Sequence, residues 1–302
     1  MKPIQKILII VFFSIFGSGL TRANTYTLLI GMDVINDNAY LKRYNKVYDQ
    51  SGTSGVSRDI DIMNQIAMQN GHIVKELRAE LATRGAILQA ISEIGVLVKP
   101  GDHFLLYYSG HGDEIPDKSG DEKSGFDQVM VAFDEYLVDD EIDKLLLKYF
   151  TKTNNVMIVD ACHSGSSYKN MDFFLDFKLN KNSKNKFMTE NMALKQKEEI
   201  SKGKITTVIE QPYVLLYLGA TPDGKLAIGD ITGGLLTGCL HKIIREAIKK
   251  GDWNQYSYET LAYKLKELMK VENQVLQFLE IGVGAKEFAK SIPFKSQYYE
   301  KN

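Results

Sequence analysis

Short apolar runs recur along the chain, and each ends abruptly at a polar or small residue. The clearest covers residues 156–159, Val-Met-Ile-Val, and stops at Asp160. A second covers residues 104–108 and is followed by Ser-Gly-His-Gly at residues 109–112. Apolar runs of about four to eight residues with polar flanks are typical of buried strands. Further segments that predict strands occupy residues 26–30, 73–77, 213–218 and 275–279.

Apolar residues spaced three or four apart lie between these predicted strands. In residues 57–70, Ile60, Met63 and Ile66 fall on one helical face. Ser57 stands where a capping residue would. Similar spacing predicts helices over residues 84–98, 139–149, 234–249 and 257–269. Strands that alternate with helices favour an α/β fold, in which a mostly parallel sheet carries helices on both faces.

Four other segments lack such a pattern. Residues 33–55 are polar, tyrosine-rich and irregular, and we expect a surface loop there. Residues 113–127 are glycine-rich and acidic, which predicts a second loop. Residues 170–204 contain many lysines and asparagines and few apolar residues, as is typical of a linker without a core. Residues 286–302 are expected to form a tail.

Composition is that of one globular, enzyme-sized chain. Hydrophobic residues make up 44% of the 302 positions and charged residues 25%, which are ordinary values for a folded domain. A net charge of −1 gives no basic surplus for binding phosphates, so we expect no nucleic-acid partner.

The first 23 residues have the form of a secretory signal peptide. Lys2 and Lys6 precede an apolar segment over residues 7–16, and Thr-Arg-Ala ends at Ala23. Small residues at the −3 and −1 positions predict cleavage after Ala23. Export would make the protein secreted or periplasmic, with no stable membrane insertion after cleavage. The alternative is an uncleaved anchor, but the apolar segment is short for a membrane span.

Two strand-end loops carry the candidate chemistry. His111 follows the predicted strand at residues 104–108, and Cys162 follows the one at residues 156–159. If these strands are parallel, both loops open at the same edge of the sheet, and the two side chains face each other. A free thiol is only a few per cent thiolate at neutral pH, and an imidazole can remove its proton. Taken singly, a buried core cysteine and a loop histidine are the commoner interpretations.

The two loops also resemble a known family. Tyr-Tyr-Ser-Gly-His-Gly at residues 107–112 and Asp-Ala-Cys-His-Ser-Gly at residues 160–165 are similar to the His and Cys motifs of metacaspases and bacterial orthocaspases. The resemblance implies a cysteine endopeptidase with a three-layer α/β/α sandwich around a roughly six-stranded, mostly parallel sheet. It also implies an oxyanion hole formed by the backbone amides of Gly112 and Cys162.

The resemblance divides the chain into parts. After the signal peptide of residues 1–23, residues 24–302 would form the peptidase domain. A large part covers about residues 24–169, and a small part covers about 205–285. The linker of residues 170–204 separates them, where caspase relatives carry the segment between their large and small parts, so self-processing is expected there.

A pocket for a basic residue is also implied, because metacaspases prefer Arg or Lys before the cut and hold it with acids. The matching positions are Asp160, Asp59 and Ser109. Arg58 stands where the family pattern Gly-x-x-Asn-Asp has asparagine. A carboxylate pair can hold a guanidinium bidentately. The alternative is that Asp59 caps its helix and Asp160 orients the cysteine loop.

No cofactor is required by such a mechanism, but the resemblance implies calcium as an activator. Its aspartates fall on Asp127, Asp139 and Asp140. A further family aspartate would fall near Lys169, which cannot coordinate a cation, and Asp172 is close enough to substitute. Oxygen ligands in a loop suit calcium. Helix capping and solvation are the ordinary interpretation of the same acids.

The sequence therefore predicts acyl transfer by Cys162, with His111 as acid and base, on protein or peptide substrates with Arg or Lys before the cut. Two alternatives remain open. One is a catalytically silent caspase-fold binding or scaffold protein, and the other is a Cys/His transpeptidase, which uses the same acyl-enzyme.

Overall fold

The computed structural model describes residues 20–48, 53, 55–116, 126–161, 211–220, 229–230, 233–272, 274–295 and 298–300. Cys162, the predicted linker and residues 1–19 of the predicted leader lie outside these described residues. Lys169 and Asp172 do so as well.

The described chain alternates strands and helices. Its strands are β1 (Leu20–Arg22), β2 (Thr25–Gly31), β3 (Ile73–Arg78), β4 (His103–Ser109), β5 (Gly112–Pro116), β6 (Phe126–Val131), β7 (Tyr136–Val138), β8 (Asn154–Asp160), β9 (Val214–Gly219), β10 (Gly229–Asp230), β11 (Gly233–Gly234), β12 (Gln277–Ile281) and β13 (Tyr298–Glu300). Its α-helices are α1 (Asp37–Tyr44), α2 (Val56–Gln69), α3 (Arg84–Leu97), α4 (Asp139–Tyr149), α5 (Leu235–Lys250), α6 (Tyr258–Val271) and α7 (Ala285–Phe288).

Six strands form the central sheet in the order β12-β9-β8-β4-β2-β3. All neighbours are parallel except β12, which runs antiparallel to β9. The predicted six-stranded, mostly parallel sheet is therefore confirmed. Every residue of β2 and β4 is buried, which explains why these strands read as continuous apolar runs rather than alternating ones.

Helices cover both faces of the sheet. Leu28 and Ile30 of β2 point to a core that includes apolar side chains of α3 and α4. Leu29, between them, points to a second core with α2, α5 and α6. Because successive side chains of a strand point to opposite faces, one strand contributes to both cores, as a three-layer sandwich requires.

The segments expected to be irregular contain more structure than their composition suggested. Residues 33–55 include α1, whose Tyr40 is fully buried and donates a hydrogen bond from its hydroxyl to the Ala132 carbonyl oxygen at 2.8 Å. Tyrosine packs in a core when its hydroxyl finds a partner, so a tyrosine-rich segment is not necessarily a surface loop. Residues 113–127 contribute to β5 and β6, which pair antiparallel within the side sheet β5-β6-β7.

The expected tail is also partly folded. Residues 285–288 form α7. Phe288 and Phe294 are buried in the core that contains α2, α5 and α6. The prediction of a tail from residue 286 is therefore wrong up to residue 295, because isolated aromatic residues gave no periodic signal. At the two ends, β1 and β13 pair antiparallel. In the part of the chain that the structure describes, no helix is long and apolar enough to cross a membrane.

Candidate active site

The site lies where β4 and β8 end. These neighbouring parallel strands are in register from His103 opposite Asn154 to Ser109 opposite Asp160. The Gly110 amide then donates to the Asp160 carbonyl oxygen at 3.3 Å. In the sequence, His111 and Cys162 each come two residues after this last pair. The segments that follow β4 and β8 therefore start at the same edge of the sheet. Ala161 is the last residue described here, and the position of the Cys162 thiol lies outside the described residues.

His111 begins the turn into β5, and its backbone is held on both sides. Its carbonyl oxygen accepts hydrogen bonds from the Tyr108 hydroxyl at 2.6 Å and from the Val131 amide at 3.0 Å. Its half-buried ring lies against the Tyr48 ring, with 5.3 Å between centroids. The loop that carries the imidazole is therefore anchored to the side sheet.

The three predicted pocket residues are brought together by different elements. Asp59 lies in the first turns of α2, while Ser109 and Asp160 end β4 and β8. Their exposed fractions are 1%, 2% and 5%. The Ser109 hydroxyl donates to Asp59 Oδ2 at 2.8 Å. Their roles in substrate binding remain a prediction, but the geometry joins all three in one buried cluster.

The amino end of α5 completes this cluster from beyond the predicted linker. The Gly234 amide donates to Asp59, at 3.1 Å to Oδ1 and 2.9 Å to Oδ2. The Thr237 amide and hydroxyl donate to Asp160 Oδ2, at 2.8 and 2.7 Å. The Tyr107 hydroxyl lies 2.5 Å from the Thr237 hydroxyl. A carboxylate at a helix amino terminus satisfies free amides and meets the positive end of the helix dipole.

Two glycines allow this close approach. Gly233 has a φ of +114°, in the range that favours glycine, and a Cβ there would overlap the Asp59 carboxylate. A Cβ at Gly234 would overlap the carboxyl group of Asp160. The backbone can contact both acids only because neither residue has a side chain.

Burial raises the pKa values of both acids. Burial, followed by the nearby charge of Asp160, raises the pKa of Asp59 to about 7. Hydrogen bonds from Gly234 and Ser109 act in the opposite direction. Burial also raises the pKa of Asp160. Near neutral pH Asp59 is therefore divided between its protonated and charged forms.

The structure excludes one alternative for Asp59. The N-cap residue of α2 is Gly55, which has no side chain to cap the helix, and the Asp59 carboxylate binds Gly234 and Ser109 rather than its own helix. Ser57, predicted as the cap, lies inside α2 and donates its hydroxyl to Asp33 Oδ2 at 2.8 Å. Asp160 does cap a helix, but that helix is α5.

The predicted calcium ligands lie in the side sheet and in the helix that follows it. Asp127 lies in β6, and Asp139 and Asp140 begin α4. The Asp140 amide donates to Asp139 Oδ1 at 3.0 Å, and the Asp140 carboxylate lies 3.7 Å from Lys144 Nζ. Among the described residues, no group of three or more His, Cys, Asp or Glu side chains is placed to hold a metal ion. Calcium binding by these three residues remains a prediction.

Sequence reasoning missed the contribution of α5 and of the tyrosines. Gly233 and Thr237 belong to a glycine–threonine element that is visible in the sequence, but nothing near them indicated contact with Asp59 and Asp160. Tyr48 lies in the segment expected to be a surface loop. Tyr107 belongs to a predicted strand and to the His motif, and neither indicates its contact with Thr237.

Comparisons with known proteins identify the family. The model of the Peptidase C14 caspase domain matches residues 34–293. Metacaspase-1A of Aspergillus niger is 29% identical over 155 residues, which are 46% of this chain and 35% of that protein. Metacaspase-1 of Eremothecium gossypii is 30% identical over 159 residues, 48% of this chain and 32% of that protein. The matches thus span about a third of the length of these curated relatives.

Solved structures show the same fold. A Geobacter sulfurreducens protein superposes with a TM-score of 0.64 and 24% identity, over 90% of this chain and 99% of its own. Caspase-1 of Spodoptera frugiperda superposes with a TM-score of 0.51 and 12% identity, over 90% of this chain and 92% of its own. At these identities the likeness concerns the fold alone. Because the family model covers most of its length, the chain belongs to the caspase-domain family of cysteine peptidases.

Proposed function

We propose that this chain is an exported cysteine endopeptidase that cleaves after Arg or Lys through Cys162 and His111. The observation that carries the specificity is the buried carboxylate pair, Asp59 and Asp160, beside the strand ends that lead to the two catalytic residues. Within the described residues, neither carboxylate forms an ion pair.

Electrostatics supports a cationic ligand at this pair. Burial disfavours both charges and raises both pKa values, and the nearby charge of Asp160 raises the pKa of Asp59 further. A guanidinium or ammonium would hydrogen-bond both carboxylates and take the place of the retained proton, so that neither acid needs to stay protonated. An aspartate side chain, as acid-specific caspases accept, would add a further negative charge and be rejected.

The proposed reaction is acyl transfer. His111 accepts the Cys162 proton, and the thiolate sulfur forms a bond to the carbonyl carbon of the basic residue. The carbonyl oxygen takes up the electron pair and is stabilised by the amides of Gly112 and Cys162. As the carbon–nitrogen bond breaks, His111 gives its proton to the leaving amine. Water then attacks the thioester, and the thiol is restored.

An active-site-directed ketone with arginine at the position before the reactive carbon tests this proposal. Mass spectrometry of the purified protein should show one probe bound to the wild type and none to Cys162→Ala. The matched ketone with aspartate should label the wild type far more slowly. Absence of labelling with either probe in a folded wild type would favour the scaffold alternative. Product analysis with an added peptide amine separates hydrolysis from transpeptidation.

We also propose self-processing in residues 170–204. The segment is rich in lysine and starts eight residues after Cys162, so its effective concentration at the cleft could reach the millimolar range, about 1 mM. It connects β8 to β9, which are paired neighbours in the sheet, so cut fragments would stay together. Termini after lysines between residues 178 and 204, present in the wild type and absent from Cys162→Ala, would support processing. Equal nicking of both proteins would contradict it.

Export and calcium activation complete the proposal. Export is supported by the form of residues 1–23, and amino-terminal sequencing of the mature protein should begin at Asn24. A terminus at Met1 in a membrane fraction would favour the uncleaved anchor. Calcium activation rests on Asp127, Asp139 and Asp140, and titration into chelator-treated enzyme should raise both the rate and the melting temperature. A flat response in both would contradict it.

A further inference from the structure

Tyr48 occupies a position that the function proposed above does not yet use. It follows α1 in the tyrosine-rich segment and is only 9% exposed. Its ring lies against the imidazole of His111, with centroids 5.3 Å apart and planes inclined by 34°. This contact places a rigid aromatic face beside the proposed acid–base residue.

The Tyr48 ring is itself fixed at its polar end. Its hydroxyl donates to Asp113 Oδ2 and lies 2.7 Å from the Tyr136 hydroxyl. The Tyr136 hydroxyl donates to the same Asp113 oxygen at 3.1 Å, and Lys46 forms an ion pair with it. An ionised carboxylate only accepts hydrogen bonds, so each phenol is the donor in its own contact with Asp113, while in the contact between the two hydroxyls either can donate.

The Asp113 carboxylate is the anchor of Tyr48, and its charged form is favoured at neutral pH. Burial would raise the pKa of Asp113, but hydrogen bonds from Lys46 and Tyr48 outweigh it and hold that pKa below its ordinary value. Asp113 lies in β5, two residues after His111. The anchor and the imidazole therefore belong to one short stretch of backbone, and Tyr48 reaches across to contact both.

A second aromatic contact fixes the ring at its apolar side. The Tyr40 ring meets Tyr48 edge to face, with 5.3 Å between centroids and an angle of 86°. Such tilted pairs are favoured arrangements of aromatic rings. Tyr40 belongs to the buried core, so the position of Tyr48 is set by the fold and not by a surface rotamer.

The backbone of His111 is held by Tyr108 and Val131, but backbone bonds do not set the rotation of the ring. Proton transfer depends on that rotation, because the ring nitrogen must point at the thiol and then at the leaving amine. A ring packed against the imidazole limits the rotations open to it, and here the two planes are inclined by 34°. Tyr48 presents such a ring to the imidazole.

We propose that Tyr48 is a positioning residue, which holds the His111 imidazole in the orientation needed for proton transfer while Asp113 and Tyr136 hold Tyr48. The inference rests on the proposed cysteine-peptidase function. It assigns a role in the reaction to the tyrosine-rich segment, residues 33–55, which the sequence alone marked as a surface loop.

The test compares Tyr48→Leu, Tyr48→Phe and Tyr40→Phe on an arginine reporter substrate. Tyr48→Leu removes the aromatic face and should lower kcat about tenfold with KM within about twofold. Tyr48→Phe keeps the face but loses the anchor, and should recover most of kcat. Tyr40→Phe removes a buried hydroxyl from the same aromatic cluster without touching His111, so it should lower the melting temperature and leave kcat unchanged.

Nuclear magnetic resonance gives a readout that does not depend on turnover. In a Cys162→Ala background, the His111 ring signals should lose their aromatic ring-current shift in the Tyr48→Leu variant and keep it in the Tyr48→Phe variant. A folded Tyr48→Leu variant with wild-type kcat, or with unchanged His111 signals, would overturn the positioning role. If the wild type is inactive but the His111 signals change in the Tyr48→Leu variant as predicted, only the peptidase proposal is overturned.

Discussion

Ser109 and Asp160 are register partners at the last positions of two adjacent parallel strands, and each connects to a different part of the pocket. Ser109 donates to Asp59 of α2, whereas Asp160 accepts two hydrogen bonds from Thr237 of α5. The strand ends that lead to His111 and Cys162 therefore also hold the acid pair. Under the proposed function, catalysis and recognition of the residue before the cut are coupled through one strand pair.

Removal of either pocket acid should weaken cleavage after arginine. Asp160→Ala removes one of the two carboxylates that would hold the basic side chain and leaves the Thr237 amide without its acceptor, so kcat/KM on arginine substrates should fall by at least about 100-fold. Asp59→Ala should cause a smaller loss. Asp61→Ala is the matched control, because Asp61 is an exposed acid of the same helix that pairs with Arg78. A loss with Asp61→Ala equal to that of Asp160→Ala would contradict the pocket assignment.

The raised pKa of Asp59 predicts that this acid destabilises the fold at neutral pH. Between about pH 4, the ordinary value of an aspartate, and about pH 7, the folded chain keeps a proton that the unfolded chain releases. The Asp59 contribution to the free energy of unfolding therefore falls as pH rises through this window. Asp59→Asn mimics the protonated acid and should be more stable than the wild type at pH 8, by about 2–4 kcal/mol.

Urea denaturation of the wild type and Asp59→Asn at pH 4 and pH 8 measures this effect. The advantage of the variant should be largest at pH 8 and small at pH 4. An advantage that is equal at both values, or reversed at pH 8, would show that Asp59 is not held in a raised-pKa state.

Two glycines near the amino end of α5 offer a matched pair of alanine variants. Gly234→Ala places a methyl group on the Asp160 carboxyl group, so it should lower kcat/KM on arginine substrates about tenfold and destabilise the fold by about 1–3 kcal/mol. A Cβ at Gly238, one turn further along α5, would meet nothing within 4 Å. Gly238→Ala should retain activity and gain about 0.5–1 kcal/mol of stability, since glycine is unfavourable inside a helix.

Assays of the two variants under the same conditions decide whether the close contact matters. If Gly234→Ala is as active as Gly238→Ala, the α5 amino end does not hold the acid in its working position.

Elements with a clear local pattern of apolar residues could be predicted from the sequence, because the residues that define each pattern lie within the element itself. The strand of residues 104–108 and the helix of residues 139–149 have their apolar positions in the segment itself, and the structure reproduces both within a residue or two. The ends of these parallel strands then fix one edge of the sheet, which is why His111 could be placed without any tertiary information.

The remaining parts depend on contacts between residues far apart in the chain. Gly234 binds Asp59 across 175 positions, and Tyr48 meets His111 from a segment with no regular period. Near its end the chain packs into the core that contains α2, α5 and α6, where the Phe294 amide donates to the Tyr258 hydroxyl at 3.0 Å. No spacing in the sequence encodes such partners, so the contribution of α5, the Tyr48 contact and the folded tail required the structure.

The most direct test of the account is the cleavage profile of a peptide library with the purified wild type, Cys162→Ala and His111→Ala. We predict that the wild type cuts after Arg and Lys and that both variants, still folded by circular dichroism, leave the library intact. Cleavage after aspartate by the wild type, or an unchanged profile with folded Cys162→Ala, would contradict it.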